Sequence, residues 1–350
     1  MNLRVVSEPG QEKSERFSGS AGRPLNTPTV APESKHKRNP GFPLDLDMVE
    51  RVRMNRSALE RRAATIGTRR TVKKDWQAAW LLRAITLMDL TTLNSDDTPG
   101  RVERLCAKAR HPVRTDILQG LGVADLRIVP AAVCVYHSFI KAAVDALEGS
   151  GIPVAAVSTA FPHGLAPVET KLKEIEASVA AGAKEIDIVI ERQMVLNGDW
   201  QALYDQVKAF RKACGEAHIK TILGTGELAT LVNVAKASVV CMLAGADFIK
   251  TSTGKEKINA NLQTSLAMVR MIRQFHDDTG IEIGYKPAGG IATAKAAMDY
   301  VALMKEELGT HWLQPHLFRF GASSLLTDIE RQLEHNLSGH YAADYRMPMV

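Results

Sequence analysis

The sequence predicts an α/β fold: a closed (β/α)8 barrel of the TIM type, with a helical extension and a disordered tail at its amino terminus. Three observations carry this. Eight short apolar, β-branched runs recur between residues 84 and 321. Segments with apolar residues at helical spacing separate them. The units fill about 260 residues, the length such a barrel takes. The runs are nearly continuous rather than alternating, as expected of parallel strands covered on both faces. An open doubly wound sheet is the rival arrangement. It would announce a phosphate turn G-x-G-x-x-G after its first strand, and Leu90 to Asn94 contain none.

In chain order, residues 1–42 are rich in Ser, Gly, Pro, Glu and Lys without an apolar face, so they are expected to be a disordered tail. A transit peptide is the alternative, but Glu8, Glu12, Glu15 and Glu33 spoil the acid-poor composition it needs. Residues 43–83 are expected to form the helical extension, on Leu44, Met48, Val49 and Val52, then Leu59, Ala63 and Ile66, then Trp76, Ala79, Trp80 and Leu81. The run RRTVKK (69–74) is read as the solvated face of that last helix. The barrel is expected over 84–338 and a short carboxyl-terminal tail over 339–350. Its strands are AITLMDL (84–90), AAVCVY (131–136), PVAAVS (153–158), EIDIVI (185–190), IKTILG (219–224), DFIKT (247–251), IEIGYK (281–286) and HLFRFG (316–321). Helical spacing is plainest at Val168, Leu172, Ile175 and Val179; at Leu203, Val207, Phe210 and Cys214; at Leu262, Leu266 and Val269; and at Leu325, Ile329 and Leu333.

Composition narrows the function classes. At 45% hydrophobic and 24% charged residues the chain is an ordinary globular one, and no run reaches the roughly 18 apolar residues of a membrane span. Four scattered cysteines, Cys106, Cys134, Cys214 and Cys241, suit reduced thiols and a cytoplasmic location, with a nuclear pool left open. Cys134, inside the second strand, is read as a small buried hydrophobe. The net charge of +5 is concentrated in residues 1–80, with sixteen Lys/Arg against nine Asp/Glu. Residues 81–350 hold 28 against 30. A globular part so close to neutral argues against a nucleic-acid binder. The ten histidines form no H-x-H or H-E-x-x-H, so no metal is expected.

Barrel chemistry gathers at the carboxyl ends of the strands. Asp89 ends the first, Asp187 lies in the fourth, Lys250 ends the sixth and Lys286 the seventh. An ammonium is rarely buried without a reason. If the two lysines are close, mutual repulsion and desolvation lower one amine's pKa, and a neutral amine can attack a carbonyl. Schiff-base chemistry follows, in which a protonated imine accepts the electrons of a breaking carbon–carbon bond. Asp187 is positioned to exchange protons, and Asp89 to hold a lysine charged. A second constellation is anion-binding: Gly289 and Gly290 after the seventh strand, Gly321, Ser323 and Ser324 where the eighth helix begins, and Gly254 and Lys255 after the sixth strand. No cofactor is implied.

The segments LMDLTTLNSDDT (87–98), AGAKEIDIVI (181–190), TGEL (225–228), AGADFIKTSTGK (244–255), GYKPAGG (284–290) and RFGASSLL (319–326) resemble the deoxyribose-phosphate aldolase family, in its longer animal form. The likeness runs from about residue 70 to the carboxyl terminus. It implies a metal-free class I aldolase that reversibly cleaves 2-deoxy-D-ribose 5-phosphate to D-glyceraldehyde 3-phosphate and acetaldehyde, in deoxyribonucleoside catabolism. By motif, it implies Lys250 as the Schiff-base lysine, Lys286 as the lysine that tunes it, Asp187 as proton donor and acceptor, and Asp89 as their support. Thr253, Gly254, Lys255, Gly289, Gly290, Gly321, Ser323 and Ser324 match positions on the substrate and phosphate side. The implied partner is a small sugar phosphate, and a homo-oligomer is compatible. Another Schiff-base lyase or transferase, or a barrel acting mainly as a binding partner, are the alternatives. Two points are particular to this chain. Ala292 stands where the family carries an arginine, which implies weaker phosphate discrimination, and the family's carboxyl-terminal tyrosine corresponds to Tyr341 or Tyr345.

Overall fold

The computed structural model describes residues 38–68 and 72–347. Eight parallel strands form a single sheet in the order β7-β6-β5-β4-β3-β2-β1-β8. They are β1 (Met88–Thr91), β2 (Ala132–Tyr136), β3 (Val154–Ser158), β4 (Glu185–Val189), β5 (His218–Ile222), β6 (Phe248–Lys250), β7 (Gly284–Lys286) and β8 (Phe320–Ala322). The ends of this order meet: Tyr285 pairs with Phe318 and Ala288 with Gly321, and Arg319 N donates to Tyr285 O at 3.0 Å. The sheet thus closes on itself as a (β/α)8 barrel.

The helices, in chain order, are α1 (Leu46–Arg51), α2 (Arg56–Ile66), α3 (Lys74–Thr86), α4 (Pro99–Arg110), α5 (Thr115–Gly120), α6 (Ile140–Ala146) and α7 (Val168–Ala180). There follow α8 (Arg192–Asn197), α9 (Trp200–Cys214), α10 (Leu231–Leu243), α11 (Leu262–Thr279), α12 (Ala294–Leu308) and α13 (Ser324–Ser338). Their apolar stripes turn onto the sheet. In α9, Leu203, Val207, Phe210 and Cys214 are all buried, the spacing read in the sequence. Side-chain acceptors start several helices: Thr98 takes the amide of Arg101, Thr230 that of Asn233, Asn261 that of Thr264 and Thr293 that of Ala296. No helix among the described residues is long and apolar enough to cross a membrane.

The boundaries differ most from the sequence reading at the first, seventh and eighth strands. The run 84–90 is two elements, because Ala84 to Thr86 finish α3 and the strand begins at Met88. Both are buried, so hydrophobicity does not mark the junction. Strands β7 and β8 are likewise shorter than their apolar runs. In α3 the inward face is Ala78, Leu81, Leu82 and Ile85, two positions on from the expected Trp76, Ala79 and Trp80, and of the expected stripe Leu81 is the buried member. Trp76 is exposed, and half-buried Trp80 lies under the Lys305 ammonium.

Residues 38–42, expected to belong to the tail, are packed against the barrel. Residues 1–37, and Arg69 to Thr71 of the basic run, lie outside the described residues. Buried Asn39 donates from Nδ2 to Met242 O at 2.7 Å and Ala246 O at 2.9 Å, and its amide donates to Asp247 Oδ1. Phe42 stands edge-on to Phe275. This segment packs beside the amino-terminal ends of β5 and β6, opposite the face where chemistry is expected.

Candidate active site

Alternation along each strand decides what faces the barrel interior. In β4, Ile186 and Ile188 join the outer core, so Glu185 and Asp187 point inward. Register then brings partners level: Asp187 opposite Lys220 on β5, Ile222 opposite Lys250 on β6, and Lys250 opposite Lys286 on β7. Asp89 on β1 stands beside Gly321 on β8.

The result is a buried network of four cations and three carboxylates. Asp187 Oδ2 accepts from both Lys250 Nζ and Lys286 Nζ at 2.8 Å, and Oδ1 accepts from Lys220 Nζ at 2.8 Å. Lys286 also donates to Asp89 Oδ2. Lys220 donates to Glu185 at 2.6 Å. Arg319 bridges Asp89 and Glu185, with Nη2 2.8 Å from Glu185 Oε1. Every member is nearly or fully buried. Burial raises the Asp187 carboxyl, but Lys220, Lys250 and Lys286 outweigh it and hold the pKa well below the usual range.

The lysines separate here. Burial pushes the Lys250 amine down, Asp187 restores part of that, and Lys286 pushes it down again, leaving it below the ordinary value of 10.5. Burial acts on Lys286 too, but Asp187 and Asp89 together outweigh it and its pKa is raised. Lys220 is raised likewise by Asp187, Glu185 and Asp89 against burial. With Lys250 neutral, the remaining three cations balance the three carboxylates. A net buried charge is costly, so the proton lost most readily belongs to the amine with the fewest carboxylate partners.

Strands β2 and β3 supply the opposite wall. Ala132, Cys134, Ala155 and Val157 form a small apolar cluster with Leu93, and burial pushes the Cys134 thiol up, consistent with a small buried hydrophobe. Gly321 has a spatial task, since a Cβ there would come 2.8 Å from that of Ala288 and 3.3 Å from Lys286 Cε. It keeps the path of the Lys286 chain open.

The anion-binding candidates share one rim. Gly289 and Gly290 adopt left-handed φ of 78° and 80°, and Gly254 of 86°. Gly254 lies against Gly289, and Gly321 N donates to Pro287 O, so the loops after β6, β7 and β8 are neighbours. Ser323 precedes α13 without capping it, and Ser324 is exposed at its first turn. Thr253 and Gly254 are engaged by a neighbouring carboxylate. Both amides, at 3.0 and 3.1 Å, and the Thr253 hydroxyl, at 2.7 Å, donate to the Glu256 carboxylate, while the exposed Lys255 and Lys257 side chains are that loop's cationic donors. Neither tyrosine is brought to this rim. Tyr341 stacks on His335 in the last turn of α13, at the far end of that helix, and Tyr345 is 84% exposed.

Sequence reasoning missed Glu185, Lys220 and Arg319. The available signal was period two: Glu185 and Arg319 each stand two residues before a residue already chosen, Asp187 and Gly321. Lys220 becomes visible only through the register of β5 against β4.

Residues 83–330 match the model of the DeoC/LacD family aldolase. The chain is 55% identical to the deoxyribose-phosphate aldolase of Homo sapiens over 318 residues, which cover 90% of this chain and 99% of that one. It is 56% identical to the Mus musculus deoxyribose-phosphate aldolase over 311 residues, 88% of this chain and 98% of the relative. A solved structure of similar fold is the deoxyribose phosphate aldolase of Aeropyrum pernix, described as tetrameric. Its TM-score is 0.56 at 22% identity, over 76% of this chain and 97% of that chain.

Proposed function

The chain belongs to the DeoC/LacD aldolase family, and from that premise we infer that it is a deoxyribose-phosphate aldolase, reversibly cleaving 2-deoxy-D-ribose 5-phosphate to D-glyceraldehyde 3-phosphate and acetaldehyde. One observation carries the reading: two buried lysines share a single carboxylate oxygen, and only one of them has its pKa lowered.

In this reading Lys250, neutral, attacks the substrate aldehyde, and loss of water leaves a protonated imine. That adduct returns a positive charge to a site balanced without it, which makes the imine a strong electron sink. The hydroxyl on the far carbon of the bond to be broken, C3 of the sugar, gives up its proton and becomes the carbonyl of the departing fragment. The carbon–carbon electrons flow into the imine, glyceraldehyde 3-phosphate leaves, and an enamine of acetaldehyde remains. Protonation of the enamine carbon and hydrolysis release acetaldehyde and restore Lys250. Asp187 exchanges these protons, directly or through water. Lys286, held charged by Asp89 and Asp187, maintains the repulsion on Lys250. Lys255, Gly289, Gly290, Gly321, Ser323 and Ser324 receive the phosphate end.

A cytoplasmic enzyme working on a small sugar phosphate, without nucleic acid, fits this chemistry. Assembly with its own copies is consistent with the tetramer described for the Aeropyrum pernix protein. Sedimentation and cell fractionation test these two points.

The chemical test is borohydride reduction with acetaldehyde or deoxyribose 5-phosphate, mapped by peptide mass spectrometry against a Lys250→Ala control. Irreversible labelling at Lys250 is expected. A folded protein that takes no label overturns the mechanism. Labelling without turnover of deoxyribose 5-phosphate leaves a Schiff-base lyase of another substrate.

A further inference from the structure

Arg192, the first residue of α8, ties together loops that follow four successive strands. Its Nη1 donates to His163 O at 3.1 Å and Nη2 to Pro162 O at 3.3 Å, both in the loop after β3. Nη2 also meets Glu256 Oε1 at 2.9 Å, after β6. Nε lies 2.7 Å from Glu227 Oε2, after β5, as an ion pair without the alignment of a hydrogen bond. The Arg192 and Glu256 side chains are only 11% and 3% exposed, so their pairing is weakly screened. Space for the guanidinium is built in, because a Cβ at Gly224 would fall 2.3 Å from Arg192 Nε.

Glu256 is more than a partner for Arg192. Its carboxylate gathers the Thr253 and Gly254 amides and the Thr253 hydroxyl, which fixes the turn that carries Lys255. Its carbonyl accepts from Asn259 Nδ2 at 2.9 Å. The Asn259 side chain lies so close to Gly289 that a Cβ there would be 2.6 Å from it. The geometry of the turn after β6 therefore passes to the glycine pair after β7.

We propose that Arg192, acting through Glu256, is a positioning residue for the phosphate end of the substrate, ordering the Thr253–Lys255 turn so that the Lys255 ammonium and the Gly289 and Gly290 amides converge on the phosphate. This rests on the substrate reading given above. A carboxylate that has lost its guanidinium turns toward water, and the turn it gathers loosens with it.

The experiment compares KM and kcat for 2-deoxyribose 5-phosphate and for unphosphorylated 2-deoxyribose in Arg192→Met, Arg192→Lys and Glu256→Gln. Arg192→Met raises KM for the phosphate ester about tenfold or more, with kcat changed far less. Its effect on 2-deoxyribose stays within about twofold, and Arg192→Lys, which keeps the charge but not the fork, recovers part of the loss. Equal rises in KM for both sugars, or a fall in kcat alone, overturn the proposal. If Arg192→Met does not fold, Glu256→Gln decides: an unchanged KM for the phosphate ester overturns it. Borohydride trapping at Lys250 is measured alongside. No trapping in the unaltered protein defeats the aldolase reading and this inference with it. Trapping with a KM that these variants leave unmoved defeats this inference alone.

Discussion

Lys250 and Lys286 face each other across the β6–β7 ladder and donate to the same oxygen of Asp187, yet only Lys286 has a second carboxylate, Asp89. The difference of one partner separates a lysine poised to lose its proton from one held charged.

A pH profile tests that separation. The neutral amine reacts, so a lowered pKa increases the reactive fraction at a given pH, and trapping of acetaldehyde at Lys250 should rise through a midpoint below 10.5. Lys286→Met removes the repulsion and frees Asp187 to favour charged Lys250, both of which raise its pKa. The midpoint moves to higher pH. A midpoint that stays put or moves to lower pH contradicts this division of roles.

Lys220 has no assigned step, and its removal should be felt in stability. Lys220→Met leaves Glu185 and Asp187 buried with too few cations, at a cost of about 3–5 kcal/mol. Urea denaturation measures this. A loss below about 1 kcal/mol would mean that water reaches the network.

Asn39→Ala deletes two buried hydrogen bonds to carbonyls and leaves both acceptors short of a donor. A destabilisation of about 1–3 kcal/mol is expected, with KM unchanged because the contact lies at the opposite end of the barrel. A shifted KM would show that the base of the barrel and its mouth are coupled.

Ala292 is exposed in the loop after β7, just past Gly290. Ala292→Arg adds a guanidinium beside the glycine pair, so kcat/KM for the phosphate ester relative to 2-deoxyribose should rise about tenfold, the worth of one charge-assisted hydrogen bond. An unchanged ratio would show that the loop holds position 292 away from the phosphate.

The two tyrosines near the carboxyl terminus provide a negative expectation. With Tyr341 stacked on His335 and Tyr345 in solvent, Tyr341→Phe and Tyr345→Phe should leave kcat within about twofold. A large fall in kcat for either would show that the tail reaches the barrel mouth during turnover.

Much of this architecture was legible because parallel barrel strands are buried on both faces, so each appears as a continuous apolar run. Lys250 and Lys286 stood out as charges closing such runs. Glu185 did not, although it shares a face with Asp187, because a carboxylate opening a strand looks like a solvated edge. Lys220 was hidden for a different reason. Its meaning lies in the register of β5 against β4, which no single strand encodes. Hydrophobicity also failed between α3 and β1, where one buried element runs directly into another.

The segment at residues 38–42 has a consequence for how the molecule is made. Asn39 bonds to Asp247, 208 residues further along the chain. During synthesis this segment therefore waits, undocked, until β6 has left the ribosome. Contacts of such long sequence separation form slowly, since a large loop must close before they return any stability. The contact at the base of β5 and β6 is accordingly made late, and a nascent chain halted before residue 247 would hold this segment open to proteases.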